Sequence, residues 1–461
     1  MIENLRNLTE WIFLSFQWVL SFLISNVFLV VGFVLAVVVF LRIFREQRQP
    51  SSIFAWGFFI LLVPPVGVPL YFLLGGRKLK KLIKAKGLLT DKKSESGDTP
   101  PVRDTFSTEG NQVRFLTDGQ VAFATYCRAL EEAEKEIHIL TYILGNDEVG
   151  NTVLDLLLKK ASKGVRVRLL VDAFGSLNRP RRKIRKLRAT GAEVFTFMPV
   201  LPLQTHGWAN LRNHRKIAVI DNRVAFLGGR NLDKRFMGKH PDPERFYDFG
   251  ARYEGPVVEY LNGVFLSDWS FASKQHIGDI DCLPRPQMTS PGESAVTGIA
   301  SGPDVQGDLL YERLINIIQE FKEELVIVTP YFVPDEVLQR SLIVKARIGK
   351  KITLILPERS NWLVVDYVRA HFLRELHAVG VNIQFFRKGM MHGKLMIADN
   401  RIMVHGSANF DIRSLFVNFE IGMIHTSVAD FEPVFHWLSW LLENSRPFGL
   451  PEELRPSIIR S

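Results

Sequence analysis

The strongest constraint on this chain is a pattern that occurs twice. HRKIAVIDNRVAFLGGRN runs from His214 to Asn231, and HGKLMIADNRIMVHGSAN from His392 to Asn409. In both, Lys follows His by two positions, Asp by seven, Gly by fourteen and Asn by seventeen, at a constant offset of 178. Both also carry Asp-Asn-Arg where a turn is expected. An earlier pair, IHILTYILGNDEVG (137–150) and LVIVTPYFVPDEVL (325–338), matches at an offset of 188. Two such coincidences in one chain are not chance, so the chain holds a duplicated unit built around one chemistry. Strand-like apolar runs alternate with helical stretches from about 113 onward, which argues an α/β fold with helices covering a sheet.

Strand geometry assigns tasks to the repeated residues. RKIAVID and KLMIAD alternate as half-buried strands ending at an Asp-Asn turn. His and Lys two apart then point from one face, where an imidazole and an ammonium can reach the same phosphate. Asp221 and Asp399 lie seven residues beyond their histidines. That odd spacing turns them away and suits them to fixing the turn. Each ring then needs a carboxylate from elsewhere, and Asp248 and Glu420, 34 and 28 residues after the respective His, are the candidates.

The remaining sequence places this unit next to lipid. Residues 11–41 and 49–76 carry no formal charge and are rich in Phe, Val, Leu and Ile. Each exceeds the roughly 20 residues that a helix needs to cross a bilayer core. The first reads as a span. The second, broken by Pro64, Pro65, Gly67 and Pro69, reads as a kinked span or a re-entrant hairpin. Residues 1–76 are therefore expected to be a multi-pass anchor. Residues 77–112 follow as a basic juxtamembrane segment and polar linker, then two lobes at 113–290 and 291–461. The net charge of +10 is local: Arg77–Lys93 and Arg179–Arg188 each carry +7, and everything else sums to −4. The first cluster suits the anionic cytoplasmic leaflet, although Arg42, Arg45 and Arg48 argue for the opposite orientation. The second, on a helix around Ile184 and Leu187, is either a solvated face or an attractor for headgroup phosphate. Two cysteines, Cys127 and Cys282, exclude a disulfide scaffold and a cysteine zinc site.

HxKxxxxD repeated with G-[GS]-x-N behind each copy resembles the phospholipase D superfamily. NLRNHRKIAVID, TPYFVPDEVL, GSANFDIRS and LFVNFEI, behind an N-terminal ILLVPPVGVPLYFLLG segment, are most similar to bacterial cardiolipin synthases. The resemblance implies duplicated α/β/α lobes with pseudo-twofold symmetry and one active site between them, after an N-terminal transmembrane anchor in the bacterial cell (inner) membrane, with the lobes in the cytoplasm. It implies catalytic roles for His214, Lys216, Asp221, His392, Lys394 and Asp399, with His214 as nucleophile. Asn231, Asn409, Gly229, Ser407, Asp248 and Glu420 would bind phosphate or orient the imidazoles. The implied reaction joins two phosphatidylglycerol molecules into cardiolipin and glycerol through a phosphohistidine, with no metal or other cofactor. The implied partners are phosphatidylglycerol and anionic membrane lipid, not nucleic acid, and the oligomeric state is left open. A phosphodiesterase that hydrolyses phospholipid or nucleic acid is the alternative. The family's Trp-x-Asp is here Phe246-Tyr247-Asp248, a change that bears on lipid selectivity.

Lesser features read more plainly. His206, His371, His377, His405 and His425 show no metal-ligand spacing and read as packed or surface histidines. Residues 195–213 read as a lipid gate or as a surface insertion. FEPVFHWLSWLLENS (431–445) reads as an amphipathic helix packed on the core.

Overall fold

A computed structural model describes residues 105–198, 210–283, 291–305 and 307–454, with short stretches between 15 and 71. The chain forms two compact units, 1–76 with 201–210, and 77–200 with 211–461.

In the larger unit the first lobe runs β1 (Thr105–Leu116), α2 (Gly119–Glu132), β2 (Glu136–Thr141), α3 (Glu148–Ala161), β3 (Arg166–Asp172), α4 (Arg181–Ala189), β4 (Glu193–Phe197), β5 (Ile217–Ile220), β6 (Val224–Gly228), β7 (Gly250–Glu254) and α5 (Val257–Ser273). The second repeats the plan: β8 (Ser294–Ser301), α6 (Leu309–Glu320), β9 (Glu324–Val328), β10 (Phe332–Val333), α7 (Glu336–Arg347), β11 (Lys351–Pro357), α8 (Leu363–Ala378), β12 (Asn382–Phe386), β13 (Leu395–Ala398), β14 (Ile402–Gly406), β15 (Phe410–Asp411), a short helix α9 (Ile412–Phe416), β16 (Glu420–His425), α10 (Glu432–Glu443) and β17 (Ser445–Pro447). Apart from a small β10–β15 ladder, the strands make one fifteen-stranded sheet, ordered β17-β12-β11-β9-β13-β14-β16-β8-β1-β7-β6-β5-β2-β3-β4. From β12 to β4 that order is a palindrome about the antiparallel pair β8–β1, so each lobe meets the other along one central seam.

Local chemistry explains the repeats. The Asp of each Asp-Glu-Val is a helix N-cap: Asp147 accepts from the Gly150 N–H at the start of α3, and Asp335 from the N–H groups of Val337 and Leu338 at the start of α7. Each Asp-Asn forms a hairpin turn with both residues left-handed (φ 52 and 51° at Asp221 and Asn222, 52 and 52° at Asp399 and Asn400), as a type I′ connection requires. The strands before these turns differ from expectation. Ile217–Ile220 and Leu395–Ala398 are buried on both faces, because α2 and α3 or their counterparts cover one side while α5 or α10 covers the other. The segment 431–445 does pack on the core, with Val434, Trp437, Leu438 and Leu441 buried. The first strand begins at Thr105, inside the stretch expected to be linker. TFSTEGNQVRFL is polar because much of this strand is half-exposed, yet it pairs with both β7 and β8.

The smaller unit holds the residues expected to form the anchor. Among the described residues, no helix is long and apolar enough to cross a membrane. Helix α1 (Pro50–Leu62) has 13 residues, roughly 20 Å against a bilayer core of about 30 Å. It ends two residues before Pro64, where proline disfavours further helix. The two spans expected at 11–41 and 49–76 are therefore not seen as such, and most of the first lies outside the described residues. Ala36, Val39 and Ile43 bury against Ile60 and Tyr71 in a small apolar core. At Gly57 a Cβ would sit 2.5 Å from the Phe40 ring, so only glycine permits that approach. Phe54, Phe58 and Leu62 remain exposed. The basic segment 77–104, His206 and most of the 195–213 stretch also lie outside the described residues.

Candidate active site

His214 and His392 sit in extended segments just ahead of β5 and β13, and each segment is stitched to the opposite lobe. The His214 N–H donates to the Phe419 carbonyl and the Phe419 N–H to the Arg212 carbonyl. In the mirror arrangement the His392 N–H donates to the Tyr247 carbonyl and the Tyr247 N–H to that of Met390. Phe419 precedes Glu420 and Tyr247 precedes Asp248, so this pairing carries each carboxylate to the other lobe's histidine. His214 Nδ1 lies 2.9 Å from Glu420 Oε1, and His392 Nδ1 lies 2.7 Å from Asp248 Oδ2. The structure brings both of these carboxylates to the imidazoles, but each meets the histidine of the other lobe. Each ring takes its carboxylate from the other lobe because β7, which follows Asp248, and β16, which begins at Glu420, flank the central β8–β1 pair.

Burial and charge set the protonation of this cluster. Burial would raise both carboxyls, but the facing imidazoles and lysines outweigh it and hold Asp248 and Glu420 down at about 2. Burial lowers the imidazoles, with the ammonium groups adding to it: His392 falls to about 3, and His214 also falls. Lys394 acts on His214 and Lys216 on His392, which places the two motifs in one electrostatic site. Burial also brings Lys216 to about 7 and Lys394 to about 8. Lys216 Nζ donates to the His214 carbonyl and Lys394 Nζ to that of His392. At neutral pH the site therefore holds two carboxylates, two imidazoles biased toward the neutral form and two amines close to their titration range.

The surrounding residues differ between lobes. Ser407 Oγ donates to Glu420, whereas at Gly229 a Cβ would lie 2.1 Å from Asp248 Oδ1. Asn231 Oδ1 accepts from the Ile143 N–H, while the buried Oδ1 of Asn409 has no partner. Phe236 and Phe246 pack on His392, with Phe246 stacked at 5.8 Å, and Tyr142 meets His214 edge-on at 5.0 Å. Asp221 and Asp399 lie away from this cluster. Asp221 accepts the N–H groups of Glu134, Lys135 and Glu136, and Asp399 those of Lys322, Glu323 and Glu324. The catalytic role that the resemblance implied for these two is replaced by the turn-fixing role that their spacing indicated. Among the described residues no group of three or more His, Cys, Asp or Glu converges as metal ligands do.

Comparison with known proteins fits this geometry. Residues 126–258 and 314–441 match the family described as cardiolipin synthase, PLD-like domain, and 34–76 match one described as phospholipase D-nuclease N-terminal. This chain belongs to the phospholipase D-like cardiolipin synthase family. It is 35% identical over 339 residues to a cardiolipin synthase of Geobacillus kaustophilus, covering 72% of this chain and 67% of the relative. It is 31% identical over 410 residues to one of Alkalihalophilus pseudofirmus, covering 82% and 80%. The solved phosphatidylserine synthase of Haemophilus influenzae Rd KW20 shares the fold at 15% identity, with a TM-score of 0.60 over 80% of this chain and 92% of that one.

This member of the cardiolipin synthase family also has site residues that the motif reading missed. Arg215, between His214 and Lys216, is fully buried. Its guanidinium spans Asp268 on α5 at 2.8 Å and the carbonyls of Glu420 and Ser301 across the seam. Asn213 donates to the same Asp268, and its own N–H donates to Asp172. The one available signal was the run of polar and basic residues Arg212, Asn213, Arg215 and Lys216 around His214, directly ahead of the apolar Ile217–Ile220.

Proposed function

We propose that this chain is a phosphatidyltransferase that makes cardiolipin and glycerol from two phosphatidylglycerol molecules. The observation that carries the reading is the crossed pair of carboxylate-held imidazoles. With Nδ1 of each ring committed to Glu420 or Asp248, the reaction falls to the two Nε2 atoms, one for attack and one for proton transfer. His214, whose side chain is 13% exposed against 7% for His392, is the nucleophile. Its Nε2 attacks phosphorus, the phosphorus–oxygen bond to glycerol breaks, and His392 gives its proton to the departing oxygen. The terminal hydroxyl of a second phosphatidylglycerol then returns a proton to His392. Its oxygen attacks phosphorus, and the phosphorus–nitrogen bond breaks. Lys216 and Lys394, with Asn231 and Asn409, hold the non-bridging oxygens as charge develops. A bound phosphodiester anion offsets the two ammonium charges that depress the imidazoles, so substrate binding itself favours the protonated acid.

The first 76 residues serve as the anchor in the bacterial cell membrane, with the lobes on its cytoplasmic side. The exposed apolar side chains of α1 and the basic run that follows support this placement. The test is incubation of the purified protein with labelled phosphatidylglycerol in vesicles. Cardiolipin and glycerol in equal amounts are expected. Phosphatidic acid as the sole lipid product would replace the transferase reading by hydrolysis.

A further inference from the structure

In each lobe the chain just after β3 or β11, including the first turns of α8, carries exposed apolar side chains close to the site. After β3, Phe174 and Leu177 are half exposed. After β11, Trp362, Leu363, Val364 and Tyr367 are more open still, Leu363 at 81% and Val364 at 73%. Exposed side chains of this size and number are not accounted for by single scattered surface hydrophobics.

Both loops are one ring away from an imidazole. Gly175 packs under Tyr142, whose carbonyl accepts from Ser176 Oγ and whose ring meets His214. In the other lobe Asn361, next to Trp362, accepts from the Tyr331 hydroxyl, and the Tyr331 ring lies 6.4 Å from His392. The two apolar tips therefore sit at corresponding places in the palindrome, one beside each histidine. Positive charge borders them. Arg179, Arg181, Arg185 and Arg188 line a groove of about 430 Å³ just beyond Leu177, with Arg182 exposed nearby. Among the described residues none of these five pairs with a carboxylate. Arg359 lies exposed before Trp362.

We infer that the two tips form a membrane-docking rim that enters an anionic bilayer and sets the active site at the headgroup layer. Apolar side chains backed by arginines match a surface that is apolar beneath and negative on top. The inference rests on the phosphatidyltransferase reading, in which a diacyl substrate must reach the two imidazoles without leaving its bilayer.

The test uses the full chain reconstituted in neutral phosphatidylcholine vesicles. Phosphatidylglycerol is supplied either with long acyl chains in the same bilayer or with short chains dissolved as monomers. For the paired variants Phe174→Ser/Leu177→Ser and Leu363→Ser/Val364→Ser, turnover of the bilayer substrate is expected to fall about tenfold or more, with turnover of the dissolved one unchanged within about twofold. Equal loss on both substrates, or no loss on either, overturns the rim. A wild-type protein that makes no cardiolipin from either substrate overturns the functional reading instead, and a second measurement still decides the rim. A nitroxide attached at Leu363→Cys is expected to be quenched by lipid-dissolved oxygen more than by a water-soluble nickel complex, increasingly so as phosphatidylglycerol replaces phosphatidylcholine. A label that stays accessible to the nickel complex at every lipid composition overturns it.

Discussion

Around His214 the chain is held by a buried ion pair between Arg215 and Asp268. At the equivalent position of the second lobe stands Gly393, and a Cβ there would lie 2.6 Å from the Trp437 ring. One lobe fixes its histidine segment by charge and the other by close apolar contact, each using the helix that follows β7 or β16, α5 or α10. The carboxylates are matched in the same way: the longer Glu420 is paired with Ser407, the shorter Asp248 with Gly229. Duplication preserved where the groups must stand and left open how each is kept there.

The comparison is easiest to break at the histidines. His214→Asn and His392→Asn should each lower turnover about 10³-fold or more, yet they should differ in trapped intermediate. Label should stay covalently bound in His392→Asn and be absent in His214→Asn, read by an alkaline detergent quench after mixing with phosphatidylglycerol labelled in its phosphatidyl group. The reverse pattern would exchange the roles of the lobes.

The two holds should fail differently. Arg215→Met removes the buried cation that Asp268 is paired with and should cost about 3–5 kcal/mol, whereas Arg215→Met with Asp268→Leu should recover much of that. Trp437→Ala should cost a similar 3–5 kcal/mol with no such rescue available. Denaturant unfolding of the four proteins gives the answer, and an unrescued double variant would sink the ion-pair account. At the carboxylates, Gly229→Ser forces an oxygen-bearing side chain onto Asp248 and should lower turnover about 10²-fold. Ser407→Gly removes the charge-assisted hydrogen bond to Glu420 and the one that Ser407 Oγ accepts from the Ile421 N–H, but adds no clash, and should cost about tenfold. Equal losses would mean that the two lobes tolerate the exchange alike.

Lysine titration gives a smaller effect shared by both lobes. Burial has lowered Lys216 and Lys394 to about 7 and 8, so raising the pH through this range removes positive charge from the empty site. KM for phosphatidylglycerol should therefore rise several-fold between roughly pH 6 and pH 9, and Lys216→Arg should flatten part of that rise. A KM constant across the range would contradict it. Least affected should be Asp221→Asn and Asp399→Asn, each costing about 1–3 kcal/mol of stability through lost backbone hydrogen bonds, with turnover per folded molecule nearly unchanged.

Much of this architecture was legible in the residues. The 178-residue offset announced two equivalent lobes, Asp-Asn-Arg announced the hairpin turns, and the spacing of Asp221 and Asp399 placed them away from the histidines. The exchange of Asp248 and Glu420 was not legible, because sequence distance ties each acid to its own lobe while the seam brings it to the other. Arg215 and Asp268, 53 residues apart, looked like ordinary surface charges until the fold buried them together. Thr105–Asn111 read as linker because a strand with half-exposed faces needs few apolar residues. The apolar run 49–76 read as a kinked span or a re-entrant hairpin because of its prolines, but sequence alone did not tell how far the helix runs before them: α1 ends at Leu62.

The crossed carboxylates also bear on synthesis. The acid that orients His214 lies 206 residues further along the chain, and the histidine oriented by Asp248 lies 144 residues after it. When the ribosome has released only the first lobe, His214 has no Glu420 and Asp248 has no His392. A half-made chain thus carries the first motif with neither imidazole–carboxylate pair assembled, and the paired site exists only once the second lobe has closed the seam.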